Sequence, residues 1–299
     1  MYRKEAKQMV AGQISGMLHF FLPILAALFL SLPAIAQGWL ELPRSTEKGN
    51  DPSCHTLTQY MKQGDRIIRS HTYRYDETLR LSRWVAYPLN AGLIGQGSRG
   101  DGWHPFASLD EAAQPILYRG FGYKGKYDRG HQIPSADRLE AKANAETFVF
   151  INATPQDHDF NAGVWTDLER LVRSWAKRSD TLYVVTGIIP GNEWVKDNAN
   201  NPMNVPEAYY KTVLRRNTGK DGITRWSVCS VLLPHTTKSF PEDTWPQRIK
   251  YLRIYSLTIE KLERLTGESF FPNLERIIGH KEYETLKKSD PREEGWWWK

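Results

Sequence analysis

A chain of 299 residues, 40% hydrophobic and 25% charged, has room for one large domain or two small ones with a substantial core. Its formal net charge of +6 is compatible with a polyanionic partner without demanding one. Two distant cysteines and eight histidines with no His-x-x-x-His pair give no zinc signature.

The N-terminus reads as a secretory signal. Arg3, Lys4 and Lys7 precede an apolar run from Met17 to Ile35, and Ala34-Ile35-Ala36 is a small-x-small cleavage site. The rival reading is an uncleaved anchor, because the run approaches the ~20 residues a spanning helix needs; Pro33 and the Ala-Ile-Ala ending favour cleavage. Residues 1–36 are therefore expected to be removed. That leaves residues 37–299 as a single exported domain, periplasmic or extracellular, with no stable membrane association. No linker, repeat or low-complexity tract divides it. In an oxidising compartment Cys54 and Cys229 could pair; the alternative is that Cys229 is a small apolar residue in a buried strand.

Thr56–Gln63 is expected as an amphipathic or loop lead-in. His71–Tyr75 and Arg83–Tyr87 alternate as strands do. Residues 92–126, rich in Gly, Asp and polar side chains, read as a long surface loop of the kind that carries function. Thr147–Ala153 is a strand candidate. Trp165, Leu168, Val172 and Trp175 recur at helical spacing and predict a helix over Val164–Arg178. Thr181–Ile189 is a strongly apolar strand. Asn198–Asn204 reads as a loop. Tyr209–Leu214 and Arg225–Leu233 read as paired strands joined by a polar turn at 217–222. Ile259–Leu265 reads as a short helix closed by Gly267. Mixed order without βαβ alternation indicates an α+β fold. Two further features admit bland readings. Lys211, Arg215, Arg216 and Lys220 make a basic hairpin, phosphate-tracking or merely solvated; Trp296-Trp297-Trp298 is a base-stacking element or, preferably, a loosely packed tail.

The most informative stretch is Tyr127-Asp128-Arg129-Gly130-His131-Gln132-Ile133-Pro134. His131 is a candidate proton acceptor near neutral pH, and Arg129 presents a planar fork suited to phosphate oxygens. Gly130 permits a sharp turn or a close approach. On its own the stretch is equally a tight polar turn. Two segments follow it: Asn152-Ala153-Thr154-Pro155-Gln156, and Asn161-Ala162-Gly163-Val164-Trp165 running on to Leu168-Glu169. With them, the chain resembles the DNA/RNA non-specific endonucleases of the ββα-metal superfamily, whose hallmark is Asp-Arg-Gly-His followed by Asn-x-x-Pro-Gln and Asn-x-Gly-x-Trp-x-x-Leu-Glu. Arg83–Tyr87 and Thr266–Phe271 extend the likeness, which covers about residues 60–275.

The resemblance implies a central antiparallel sheet with packed helices and a ββα-metal nuclease core. It implies hydrolysis of phosphodiester bonds of DNA and RNA with little sequence specificity, since backbone contacts carry no sequence information. His131 is implied as the general base, and one divalent ion, Mg²⁺ for preference, as held directly by Asn161. Glu169 is implied to act on the ion through water: eight helical residues from Asn161, about 12 Å of rise, is too far for easy joint ligation. Arg129 and Arg99 are implied as phosphate contacts and Asn152 as a positioning residue. Asp128 is expected to hydrogen-bond the turn. Asn152-Ala153-Thr154 also fits a glycosylation acceptor, a pattern common by chance. Activity is expected to decline as pH falls through the ordinary histidine range. The competing class is a catalytically inactive nucleic-acid-binding module on the same scaffold.

Overall fold

The computed structural model describes residues 39–45, 51–118, 121, 125–238 and 244–299; the signal reading for residues 1–36 lies outside them. Seven strands form one fully antiparallel sheet. They are β1 (Cys54–Gln63), β2 (Arg66–Asp76), β3 (Leu81–Leu89), β6 (Thr181–Ile189), β9 (Ala208–Thr218), β10 (Thr224–Pro234) and β11 (Ser256–Leu257), in the spatial order β11-β10-β9-β6-β3-β2-β1. Two hairpins stand apart from it: β4 (Tyr127–His131) with β5 (Ala153–Asp157), and β7 (Glu193–Lys196) with β8 (Pro202–Val205). The longer helices are α1 (Thr166–Ala176), α2 (Trp245–Ile254), α3 (Ile259–Thr266) and α4 (His280–Lys288).

Alternation along the central strands divides the core in two. Val184, Tyr209, Val213 and Cys229 face one layer with Val164, Trp165, Leu168 and Trp175. Val185, Tyr210, Leu214 and Val228 face the other, with Ile259 and Leu262 of α3 and Tyr283 of α4. The predicted stripe of α1 is the face that is buried, and Gly267 (φ +68°) ends α3 in the left-handed conformation.

Several expectations change. Residues 54–63 are an edge strand rather than a lead-in, recruited by ten register pairs with β2. Thr147–Ala153 is not a strand: Phe150–Asn152 is a 3₁₀ turn and the strand begins at Ala153. Asn204 lies in β8, buried, its amide donating to Gly191 O at 2.8 Å. Both cysteines are free. Cys54 on β1 and Cys229 on β10 are five strand steps apart, roughly 24 Å, far beyond the ~7 Å between Cα atoms that a disulfide spans. The terminal tryptophans are not a loose tail: Trp297 is fully buried, with Trp175 Nε1 donating to its carbonyl at 2.8 Å. Lys211 is not at a hairpin tip but buried in the middle of β9, and Arg215 stacks 3.7 Å above the Trp296 ring.

Candidate active site

The Asp-Arg-Gly-His segment is a strand, not a turn. In register it pairs Asp128 with Gln156, Gly130 with Thr154 and His131 with Ala153. Gly130 is required by close approach, because a Cβ there would lie 2.1 Å from the Gln156 side chain. A six-residue π segment, Phe160–Trp165, then leads into α1, and Gly163 breaks the helical backbone within it (φ −103°, ψ −110°). Strand, strand and helix thus converge on one point. The break also removes the straight-helix spacing between Asn161 and Glu169 on which the 12 Å separation rested.

His131 is buried, its ring 4.6 Å from Trp103 and 4.9 Å from Phe148. Nε2 has no hydrogen-bond partner and no solvent contact. An orphaned buried nitrogen is costly to the fold, and a catalytic role accounts for its being kept. Burial, with Arg99 and Arg129 nearby, pushes the imidazole pKa down to about 3. His131 is therefore neutral throughout pH 5–8. The decline expected near an ordinary histidine pKa moves below that range.

The frame around His131 is well bonded. Trp165 Nε1 donates to His131 O at 3.3 Å. Asn152 is fully buried: its Oδ1 accepts from Ile133 N at 3.0 Å, and its Nδ2 donates to Ile133 O at 3.0 Å and to Thr147 O at 2.8 Å. Asn152 thus clamps the chain just past the histidine and is not part of the cleft lining. Its burial leaves no access for glycosylation.

A cleft of about 310 Å³ is lined by Arg99, Asp101, Trp103, Asp128, Arg129 and Asn161, with Phe121 and Tyr127. The structure therefore brings both arginines and Asn161 together. The Arg129 guanidinium lies 5.2 Å from the Trp103 ring and that of Arg99 5.7 Å from Phe148. Asp128 does not hold the turn; its Oδ2 accepts from Asn161 Nδ2 at 2.9 Å and contacts His158 Nδ1 at 2.9 Å. His131 and Glu169 lie outside the cleft lining. Approach of water to Nε2 requires its aromatic cover to give way, and Trp103 is the less buried of the two rings.

Glu169, on α1, is largely buried, with Arg173 Nη1 at 3.8 Å. Arg173 also binds Asp137 at 3.0 Å, and Tyr87 OH donates to Asp137 at 2.9 Å. Burial raises the Glu169 carboxyl pKa, partly offset by Lys211 and Arg173. Burial likewise lowers the Lys211 ammonium pKa, partly offset by Glu169 and Asp137. Trp103, Arg173 and Asp137 drew no role from the sequence, and Lys211 only that of a hairpin cation. For Arg173 a signal existed, since it stands four residues from Glu169 on a helix.

Residues 55–277 match the family described as DNA/RNA non-specific endonuclease. The chain belongs to that family. It is an endonuclease acting on phosphodiester bonds. A nuclease from Nostoc sp. is 30% identical over 233 residues, covering 75% of this chain and 79% of that one. Mitochondrial Endonuclease G from Bos taurus is 28% identical over 260 residues, 81% of each chain. Human mitochondrial nuclease EXOG is 28% identical over 228 residues, and the match spans 58% of its length. Among solved structures, the crystal structure of an EndoG/EndoGI complex superposes with a TM-score of 0.55 at 22% identity. It covers 74% of this chain and 88% of the other, a likeness of fold. The expected α+β architecture, a central antiparallel sheet with packed helices and a ββα core, is the observed one.

The depressed His131 pKa has a consequence for stability. An unfolded histidine titrates near 6.5, whereas folded His131 resists protonation down to about pH 3. The unfolded state therefore binds the extra proton in between. Stability is fully present above about pH 6.5 and is lost at ~1.4 kcal/mol per pH unit below it. Denaturant unfolding at pH 7.5 and pH 5.0 should show this loss reduced by about 2 kcal/mol in His131→Asn. Equal losses in the two proteins would contradict the buried neutral imidazole.

Proposed function

We propose that the protein is an exported, Mg²⁺-dependent endonuclease that cuts DNA and RNA with little sequence preference, with His131 taking the proton from the attacking water. The observation that carries this is the unpartnered, buried Nε2 of a neutral histidine next to a cleft lined by Arg99, Arg129 and Asn161. Arg129 and Arg99 hold phosphate oxygens, the former by its planar fork of donors. Trp165 and Asn152 fix the backbone at and just beyond His131, so the imidazole stays in place while the ring of Trp103 gives way to the water. The inactive-module reading has no observation in its favour.

The residues suit a hydrated Mg²⁺. With the Asn161 amide nitrogen bound to Asp128, the carboxamide oxygen is the end left for a cation. Among the described residues no group of three or more His, Cys, Asp or Glu side chains forms a ligand cluster. Few protein oxygens suit an ion that retains most of its water. Asn161 would hold the ion directly and Glu169 through water. The ion supplies charge stabilisation for the phosphate and the departing 3′ oxygen.

The export reading rests on the sequence of residues 1–36; among the described residues no helix is long and apolar enough to cross a membrane. For the metal, Asn161→Ala should raise the half-saturating Mg²⁺ concentration about tenfold or more in a cleavage titration. An unchanged titration would remove Asn161 from the metal site.

A further inference from the structure

We infer that Lys211 is a positioning residue of the catalytic centre, holding the strand end that carries His131. The inference rests on the nuclease reading above. Lys211 occupies the middle of β9, between β6 and β10, and is 1% exposed. Its Nζ donates to Thr186 Oγ1 at 2.7 Å and to Gln132 O at 3.3 Å, and lies 4.7 Å from the centroid of the Trp165 ring. Trp165 in turn donates its indole N–H to His131 O at 3.3 Å. Two successive carbonyls, His131 and Gln132, are thus held by a cation and an indole in contact with each other. They lie where β4 ends and the chain passes into the Asn152 clamp.

A buried ammonium is an expensive way to fill this space. Taking a charge out of water costs several kcal/mol, and a well-packed apolar residue is often neutral or better for stability. Gln132 O needs only a donor, and Thr186 Oγ1 only a partner. What the ammonium adds is reach to three elements at once: β6 through Thr186, the base-bearing segment through Gln132, and the π segment of Asn161 through Trp165. The carboxylates of Glu169 and Asp137 supply the compensating charge. Lys211 therefore couples the position of His131 to the segment that carries Asn161, and does so from the side of the sheet, outside the cleft lining.

The test is Lys211→Met, which keeps the unbranched shape and most of the length of the side chain and removes its charge and donors. With DNA, kcat should fall about tenfold or more, since a small misplacement of a catalytic group is amplified in the rate, while KM stays within about twofold. The second readout separates positioning from general loosening. In a His131→Ala background, with residual hydrolysis followed on a nitrophenyl phosphodiester, Lys211→Met should cause no further loss. The same fractional loss in both backgrounds, or a change confined to KM, would overturn the inference. If near-UV circular dichroism shows Lys211→Met unfolded, Thr186→Val carries the same two readouts, because it leaves the ammonium in place and removes its shortest bond. Failure of the wild-type protein to cleave DNA would instead sink the nuclease reading, so the two failures are distinguishable.

Discussion

His131→Ala should lower kcat for DNA cleavage by about 10²–10⁴-fold, the range general-base catalysis supplies, while leaving DNA affinity nearly unchanged. The separation follows from the geometry. His131 is not part of the cleft lining, whereas Arg99, Arg129 and Asn161 are, so the groups that hold phosphate remain when the imidazole is removed. The main-chain frame also remains, because Trp165 and Asn152 bond to backbone atoms around position 131 and not to its ring. The loss should therefore appear in kcat and not in KM. Fluorescence anisotropy on a labelled duplex, beside single-turnover cleavage of the same duplex, measures both quantities. Cleavage within threefold of wild type, or affinity lost in parallel with rate, would remove His131 from the role of base.

Trp297→Ala should cost about 3–5 kcal/mol of stability, the range for truncating a buried tryptophan, and lower the melting midpoint by about 10 °C. Trp297 is fully buried against Trp175, ring centroids 4.7 Å apart. Its Nε1 donates to Glu294 at 3.1 Å and its carbonyl accepts from Trp175. Trp296 packs beneath Arg215 and Arg178, and the Trp298 ring lies 6.1 Å from Trp175. The tail thus closes over α1, the helix that carries Glu169 and Arg173, although it lies beyond the family match at residues 55–277. No tail residue lines the cleft, so cleavage well below the melting point should stay within about threefold of wild type. A melting midpoint shifted by less than about 3 °C would show that the tail does not support the core.

Much of the scaffold was legible because burial imposes itself on local pattern. Thr181–Ile189 is a central strand covered on both faces, and its apolar run announces it. The stripe of α1 follows from helical period, and β9 and β10 from two strand-like runs with a polar turn between them. What escaped was decided by partners distant in sequence. Tyr127–His131 is polar and short, and becomes a strand only because β5 pairs with it. Lys211 looks like one more hairpin cation, and only the sheet order buries it. Cys54 and Cys229 are separated by that same order. Of the site, the hallmark residues identified the chemistry, but not the Trp103 cover, the Asp128–Asn161 bond or the Asn152 clamp. Each of these is a tertiary contact with no periodic trace in the sequence.

The proposed activity is cleavage of nucleic acid of either sugar by metal-assisted hydrolysis. The most direct measurement incubates purified residues 37–299 with supercoiled plasmid and with RNA, in Mg²⁺ and in EDTA, and resolves the products on gels over time. Degradation of both substrates in Mg²⁺ and of neither in EDTA is the predicted result. Both substrates surviving intact in Mg²⁺, or both degraded equally in EDTA, would contradict it.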